Sequence, residues 1–327
     1  MKLTLLAAVF LVAAALHGQP SRSKPAQRLT APWPPSSGQL RVIIDADAAN
    51  EVDDQWAIAL ALGFPERLKI EGFVAAHYGQ RGGAQGIAKS HASIEATLAA
   101  AGMGGRFVLK DGSDPIAYRD RVPASGGVDF IIATARTATP ENPLWLVLLG
   151  PATDGAATLL KAPDIADRLV IFWHGRSTWP ERCTNFNATN DPVAAQLLFE
   201  LPCRFVLFDT GANLTMPMEE SEKRVASVGA LGRFIHDIRT PSPYARRADK
   251  GMFDLGDIAA LIDPAGTTSW ETVEAPGVRF DLSYDFAQKH GPMLRIKTID
   301  RDASFALLDR SLLRISSRPK TSSASSP

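Results

Sequence analysis

The chain has 327 residues, 45% of them hydrophobic, with 35 Lys and Arg against 35 Asp and Glu. A net charge of +0 gives nucleic acid and anionic membranes no electrostatic footing as partners. The length and apolar fraction suit one large α/β domain, or two small ones, around a substantial core.

The first residues, MKLTLLAAVFLVAAALHGQ, read as an export signal over 1–18: Lys2, an apolar run, then small residues. The run is too short and too Ala-rich for a membrane span, and no Cys follows it to carry a lipid. Cleavage between Ala15 and Gln19 is expected, giving a secreted or periplasmic protein; an uncleaved N-terminal anchor is the alternative. Residues 19–38, rich in Pro, Ser and basic side chains, read as a linker with little packing. The domain is expected over 39–315, and 316–327 as a disordered tail.

Inside these limits the chain opens with an apolar run, Val42-Ile43-Ile44, of the length of a buried strand. Asp45, Asp47, Glu51, Asp53 and Asp54 then crowd one loop, and 56–62 has the composition of a buried helix. In open α/β sheets, ligands bind at the carboxyl ends of the strands. Neighbouring carboxylates repel one another, and a hard divalent cation resolves the conflict; calcium accepts six to eight oxygens. A solvated acidic turn capping the helix is the plainer alternative. The position of Asp45 and Asp47 on the very end of the apolar strand favours a metal or sugar site.

Further strands are predicted at 68–76, 106–109, 145–149, 169–173 and 204–208. Helices are predicted at 84–101, 128–138, 154–160 and 191–200, and breakers make 110–127 irregular. This alternation predicts an α/β fold, a mainly parallel open sheet with helices on both faces. Residues 219–239 and 253–262 read as helices, 277–300 as a small antiparallel C-terminal addition, and 303–314 as a closing helix. One domain is expected. Of the two cysteines, Cys183 and Cys203, bridging would need Cα atoms within about 7 Å. An intervening helix of roughly ten residues at 1.5 Å each spans about 15 Å, so unless the loop before it folds back both thiols stay free.

Three later stretches also fall at strand ends on one side of such a sheet. Gly150-Pro151 forces a turn that can leave the Leu149 carbonyl open to a cation, although locally it reads as a plain turn capped by Thr153 or Asp154. Residues 172–196 carry His174, Asn185, Asn187, Asn190 and Asp191. Amides suit sugar hydroxyls, turns and caps are the alternative, and His174 is a candidate general acid. Asp254 begins an otherwise apolar helix, where a carboxylate is costly unless paired, capping or metal-bound.

Together these stretches resemble the inosine–uridine-preferring nucleoside hydrolase family, from Arg41 to Pro264. The family's Asp-Thr-Asp-Pro-Gly-x-Asp-Asp signature is matched by IIDADAANEVDDQWAIAL, with Ala46 for the Thr and about two residues added around Asn50-Glu51. Its Gly-Pro-Leu-Thr-Asn turn is matched by Gly150 to Asp154. Its Ala-Glu-Phe-Asn…Asp-Pro stretch is matched by Thr184-Asn185-Phe186-Asn187…Asp191-Pro192, and its His-Asp…Ile-Asp-Pro helix by Phe253-Asp254…Ile262-Asp263-Pro264. The Asn-Glu-x-Asp-Asp-Gln form looks more like the secreted nucleoside-hydrolase-like branch.

The resemblance implies a calcium-dependent hydrolase cleaving the N-glycosidic bond of a ribonucleoside or related riboside. Asp47 would bind calcium and activate the attacking water. Asp54, Asp254 and the Leu149 carbonyl would complete the ligand set. Asp53 and Asn187 would hold sugar hydroxyls, with Asn185 where the family has a ribose-binding Glu, and Asn50, Tyr78 and His77 nearby. Phe253 stands where many members have the His that protonates the leaving base, so that proton must come from His174 or His77, or the leaving group needs none. The expected partner is a small riboside or sugar, with no stable membrane anchor; self-association stays open. The rival readings are a non-catalytic, metal-assisted sugar-binding domain and, on the strand-Asp-x-Asp pattern alone, an aspartyl phosphatase, which lacks a well-placed later Lys.

Overall fold

The computed structural model describes residues 28–318. The expected export signal, the first part of the linker and the tail from 319 onward lie outside the described residues. One eight-stranded sheet runs β3-β2-β1-β4-β5-β6-β8-β7. Its strands are β1 (Leu40–Ala46), β2 (Leu68–Ala75), β3 (Val108–Asp111), β4 (Leu144–Leu148), β5 (Leu169–His174), β6 (Arg204–Phe208), β7 (Thr268–Val278) and β8 (Tyr284–Ile299). All neighbours pair in parallel except β7 with β8.

Strands β4 and β5 are buried at every position, as expected when helices cover both faces of a sheet. Alternating side chains feed two apolar layers. Val42 and Ile44 join the layer formed with the helices Asp53–Leu62, Leu255–Ile262 and Arg301–Ser316, whereas Ile43 joins the layer with Gly126–Arg136, Thr153–Lys161 and Pro192–Glu200. The helix Asp53–Leu62 is buried along its whole length, and Trp56 Nε1 donates to the Ile235 carbonyl at 2.9 Å. The order reverses between β1 and β4, the kind of switch point where a crevice opens beyond the strand ends.

The structure corrects the sequence reading in three places. Residues 28–38 are not a loose linker. Arg28 is buried and donates to the Leu198, Phe199 and His290 carbonyls, and Trp33 packs on Trp270 at 4.9 Å between ring centroids. The helix expected over 219–239 is broken into Met218–Ser221, a π turn Glu222–Ala226 and Gly229–Asp237; Gly229 turns the chain at φ +69°. The C-terminal strands begin earlier, at Thr268, and β8 pairs with β6, so they extend the main sheet. Cys183 and Cys203 are buried free thiols, and burial pushes the Cys183 thiol up to about 12. Among the described residues no helix is long and apolar enough to cross a membrane.

Candidate active site

A cavity of about 240 Å³ opens beyond the carboxyl ends of β1, β4 and β5. Asp47, Asp53, Asp54, Asp254 and Leu149 line its floor; Asn50, Asn185, Asn187 and His174 also line it. Asp47 follows β1 directly, and Asp53 and Asp54 form the first turn of the buried helix behind it. Asp254 stands at the N-cap position of Leu255–Ile262 but makes no capping bond. Carboxylate oxygens of Asp53, Asp54 and Asp254 lie within 4.8 Å of one another. Gly150 lets the floor close up: a Cβ there would sit 3.0 Å from the Cβ of Asp47.

These acids are at most 5% exposed. Burial first, then the charges of Asp53 and Glu51, pushes the Asp47 carboxyl up to about 8. Asp54 and Asp254 are raised well above the usual carboxylate range, by burial and then by their acidic neighbours. Asp47 Oδ2 and Asp54 Oδ1 are buried without a donor, a condition costing on the order of several kcal/mol per ion if both were charged and unpaired. A cation fits this donor set: clustered hard oxygens, two of them orphaned, with a strand-end carbonyl alongside.

Asp53 is held differently. Its Oδ2 accepts the Phe253 N–H at 3.2 Å, and its Oδ1 lies 3.5 Å from Lys250 Nζ. Lys250 also meets Glu51 at 2.8 Å. Burial would lower this ammonium, but Asp53 and Glu51 outweigh it and raise it.

Several residues have firmer employment than the sequence indicates. The Leu149 carbonyl already accepts one hydrogen bond, leaving one lone pair for an ion: Asn187 Nδ2 donates to it at 2.7 Å and to the His174 carbonyl at 3.0 Å. Asn187 therefore splints the ends of β4 and β5 and offers only its Oδ1 to a ligand. Asn185 caps the helix Phe186–Asn190 through Ala188 N–H, and its Nδ2 is left without a partner. Asn190 is not the cap of the next helix; Asp191 is, through Ala194 N–H. Neither Thr153 nor Asp154 caps the helix Thr153–Lys161. Asn50 Oδ1 accepts from Arg81 at 3.1 Å.

His77 and Tyr78 are not among the cavity-lining residues. The Gly79 N–H reaches His77 Nδ1, so Nε2 carries the hydrogen and donates to Thr153 Oγ1 at 2.7 Å, which in turn donates to Asp191. Tyr78 is 5% exposed. It packs beside Gly82, near enough for the Asp47 charge to help raise its phenol after burial. His174 does line the cavity. Its Nδ1 lies 2.7 Å from Asp257 Oδ2 and 3.4 Å from Asp254 Oδ1; two acceptors there put the hydrogen on Nδ1 and turn Nε2 into the free nitrogen.

Sequence reasoning missed Asp257, Lys250 and Arg176. Asp257 is 0% exposed inside a helix otherwise apolar, and an acid in such a run signals a buried partner. Burial, partly countered by His174, pushes it up to about 6. Nothing local marks Lys250 or Arg176: Lys250 pairs with Glu51 and Arg176 stacks on Phe253, each partner distant in sequence.

The parallel sheet, the switch-point cavity and the acid cluster define an α/β protein with a candidate metal centre at the ligand-binding edge of its sheet. The chain belongs to the inosine-uridine preferring nucleoside hydrolase family, whose model matches residues 42–288, and so to the N-glycosyl hydrolases. Solved structures agree on the fold. A plant nucleoside hydrolase, PpNRh1, is 18% identical, with TM-score 0.67 over 85% of this chain and 99% of that one. A purine-preferring ribonucleoside hydrolase from Gardnerella vaginalis is 21% identical, with TM-score 0.64 over 84% and 99%. An inosine-uridine preferring nucleoside hydrolase from Bacillus anthracis is 16% identical, with TM-score 0.63 over 84% and 100%. A search of curated protein sequences gave no match.

Proposed function

We propose that this protein hydrolyses the N-glycosidic bond of a ribonucleoside or related riboside, with calcium as its cofactor. The observation that carries the reading is the convergence of Asp47, Asp53, Asp54, Asp254 and the Leu149 carbonyl on one cavity, with buried oxygens lacking donors. Asp47, Asp54, Asp254 and the Leu149 carbonyl would hold the ion. When bound, calcium supplies Lewis acidity that eases deprotonation of a water.

Asp47, at the carboxyl end of β1 and lining the cavity, takes the proton of the attacking water as general base. Asp53, anchored by Lys250 and the Phe253 N–H, accepts from a ribose hydroxyl, with Asn187 Oδ1 and Asn185 Nδ2 alongside. The carboxylates beneath the ring stabilise positive charge developing on the sugar as the bond breaks. His174 lines the same cavity, its ring held by Asp257 through Nδ1. Export to the periplasm or medium belongs to the same proposal, and N-terminal sequencing of secreted protein checks it.

The test is turnover of inosine, uridine and 4-nitrophenyl riboside by purified protein, with and without chelator, beside a measurement of bound calcium. Turnover that chelator abolishes supports the reading. Binding of ribosides without hydrolysis would leave a sugar-binding domain, as Phe253 in place of an acid suggests. No turnover and no calcium would sink both.

A further inference from the structure

The cavity is chemically two-sided. Its floor is carboxylate. Its rim carries Phe186, Tyr244 and Phe253, and Arg176 is the only Lys or Arg among its lining residues. The Arg176 guanidinium lies over the Phe253 ring at 4.1 Å from the centroid. Lys250 sits 4.7 Å from the same ring, so Phe253 is flanked by two cations. Among the described residues no carboxylate lies within salt-bridge distance of Arg176, whereas Lys250 is committed to Glu51 and Asp53.

The neighbouring residue is firmly pinned. Ser177 N–H and Oγ both donate to Asp209 Oδ1, at 2.6 and 2.7 Å, and Arg295 holds Asp209 Oδ2 at 2.6 Å. The backbone beside Arg176 is therefore fixed, and a guanidinium resting on an aromatic face keeps its donors directed outward.

From this arrangement we infer that the rim is a leaving-group subsite built for a flat, acidic ring that departs as a delocalised anion, with Arg176 as the group that receives its charge. The inference rests on the riboside reading of the cavity: a sugar clamped on the carboxylate floor leaves its aglycone against the rim. Cleavage forms a bond between the water oxygen and the anomeric carbon. The bond from that carbon to the aglycone breaks, and its electron pair goes to the ring. The water's proton goes to Asp47. Phe253 has no proton to give and His174 is committed through Nδ1 to Asp257, so the ring leaves charged, is matched by the Arg176 guanidinium, and takes its proton from solvent after release.

Calorimetry with calcium-loaded protein tests this without relying on turnover. Barbiturate and uracil have nearly the same shape, and only barbiturate is an anion at neutral pH. Wild type should bind barbiturate at least tenfold more tightly than uracil. Arg176→Gln should remove that preference while leaving uracil binding within about threefold, and Arg176→Lys should restore part of it. Equal binding of the two rings by wild type, or a preference that survives Arg176→Gln, overturns the subsite. Ribose 5-phosphate against ribose settles where the charge sits. A phosphate gain that disappears in Arg176→Gln would place the anion on the sugar and overturn the assignment; no such gain supports it. Should inosine, uridine and 4-nitrophenyl riboside all go uncleaved, the hydrolase reading fails by itself, and the ring-binding result still decides the subsite.

Discussion

Two sets of buried acids lie at the carboxyl end of β1, and they resolve the same repulsion differently. Asp47, Asp53, Asp54 and Asp254 face the cavity. Asp45 and Asp154 are sealed beneath it, 0% and 1% exposed, and neither is a cavity-lining residue. Burial, then the Asp154 charge and a hydrogen bond between the two carboxyls, raises Asp45 well above its usual range, and burial pushes Asp154 up to about 6. A proton shared between the two carboxyls and the Ser113 N–H on Asp154 Oδ1 at 2.8 Å cover part of their needs, while Asp45 keeps an oxygen without a donor. In the cavity set Asp47 and Asp54 also share a hydrogen bond, but more acids meet there than one proton can settle. Orphaned oxygens occur in both sets, so what marks the candidate metal centre is open access. Acid content alone does not distinguish the two sets.

The largest effects should come from the cavity set. Asp47→Asn is expected to lower kcat on a cleavable riboside by about 10³-fold, the upper range of a lost general base combined with a lost ligand; steady-state kinetics with calcium in excess check it. Asp254→Asn should weaken calcium binding about 100-fold by calorimetry while the far-ultraviolet circular dichroism stays native. An unchanged calcium affinity would remove Asp254 from the ligand set.

Much of this was legible in the sequence, for physical reasons. Strands such as LWLVL and LVIFWH are apolar but for His174 at the end of the second, because both faces are covered, and the breaks between them fall where the chain leaves the sheet. The acid cluster was legible because Asp47, Asp54 and Asp254 each end or begin an apolar element, where an unpartnered charge is costly. The rest was hidden by long-range contacts. β7, TSWETVEAPGV, mixes polar residues with a Pro, as an edge strand tolerates, so its pairing with β8 leaves little trace. Arg28 looks like any basic linker residue until three carbonyls from distant segments converge on it. Asn187 looked like a ligand for sugar, yet both its amide donations hold strand ends.

A smaller effect is expected from pH acting on the metal-free protein. Asp47, Asp54 and Asp254 hold protons in the folded state that an unfolded chain releases near the ordinary carboxylate value. The native state therefore binds more protons between about pH 4 and 8, the upper figure set by Asp47. Stability in chelator should fall as pH rises through that window. Thermal melts from pH 5 to 8 should show Tm dropping without calcium, and calcium at pH 8 should restore it. A Tm that rises across the window in chelator would show that the cluster is charged and already compensated.

The sealed pair offers the smallest and sharpest contrast. In Asp154→Asn the amide oxygen keeps the Ser113 N–H and the amide nitrogen can donate to Asp45, so Asp45 no longer needs the shared proton. In wild type both carboxyls are raised on folding, so their contribution to stability falls as pH climbs from about 4 past 6. The variant should lose the Asp154 part of that slope, while burial keeps Asp45 raised. At pH 5 the two proteins should unfold within about 1 kcal/mol of each other in denaturant. At pH 8 the variant should be the more stable by on the order of 2 kcal/mol, at roughly 1.4 kcal/mol per pKa unit relieved. Calcium affinity should barely change, because Asp154 is not a cavity-lining residue. A large loss of calcium binding in Asp154→Asn would mean that the two acid sets act as one, and that the division between the open and the sealed carboxylates is wrong.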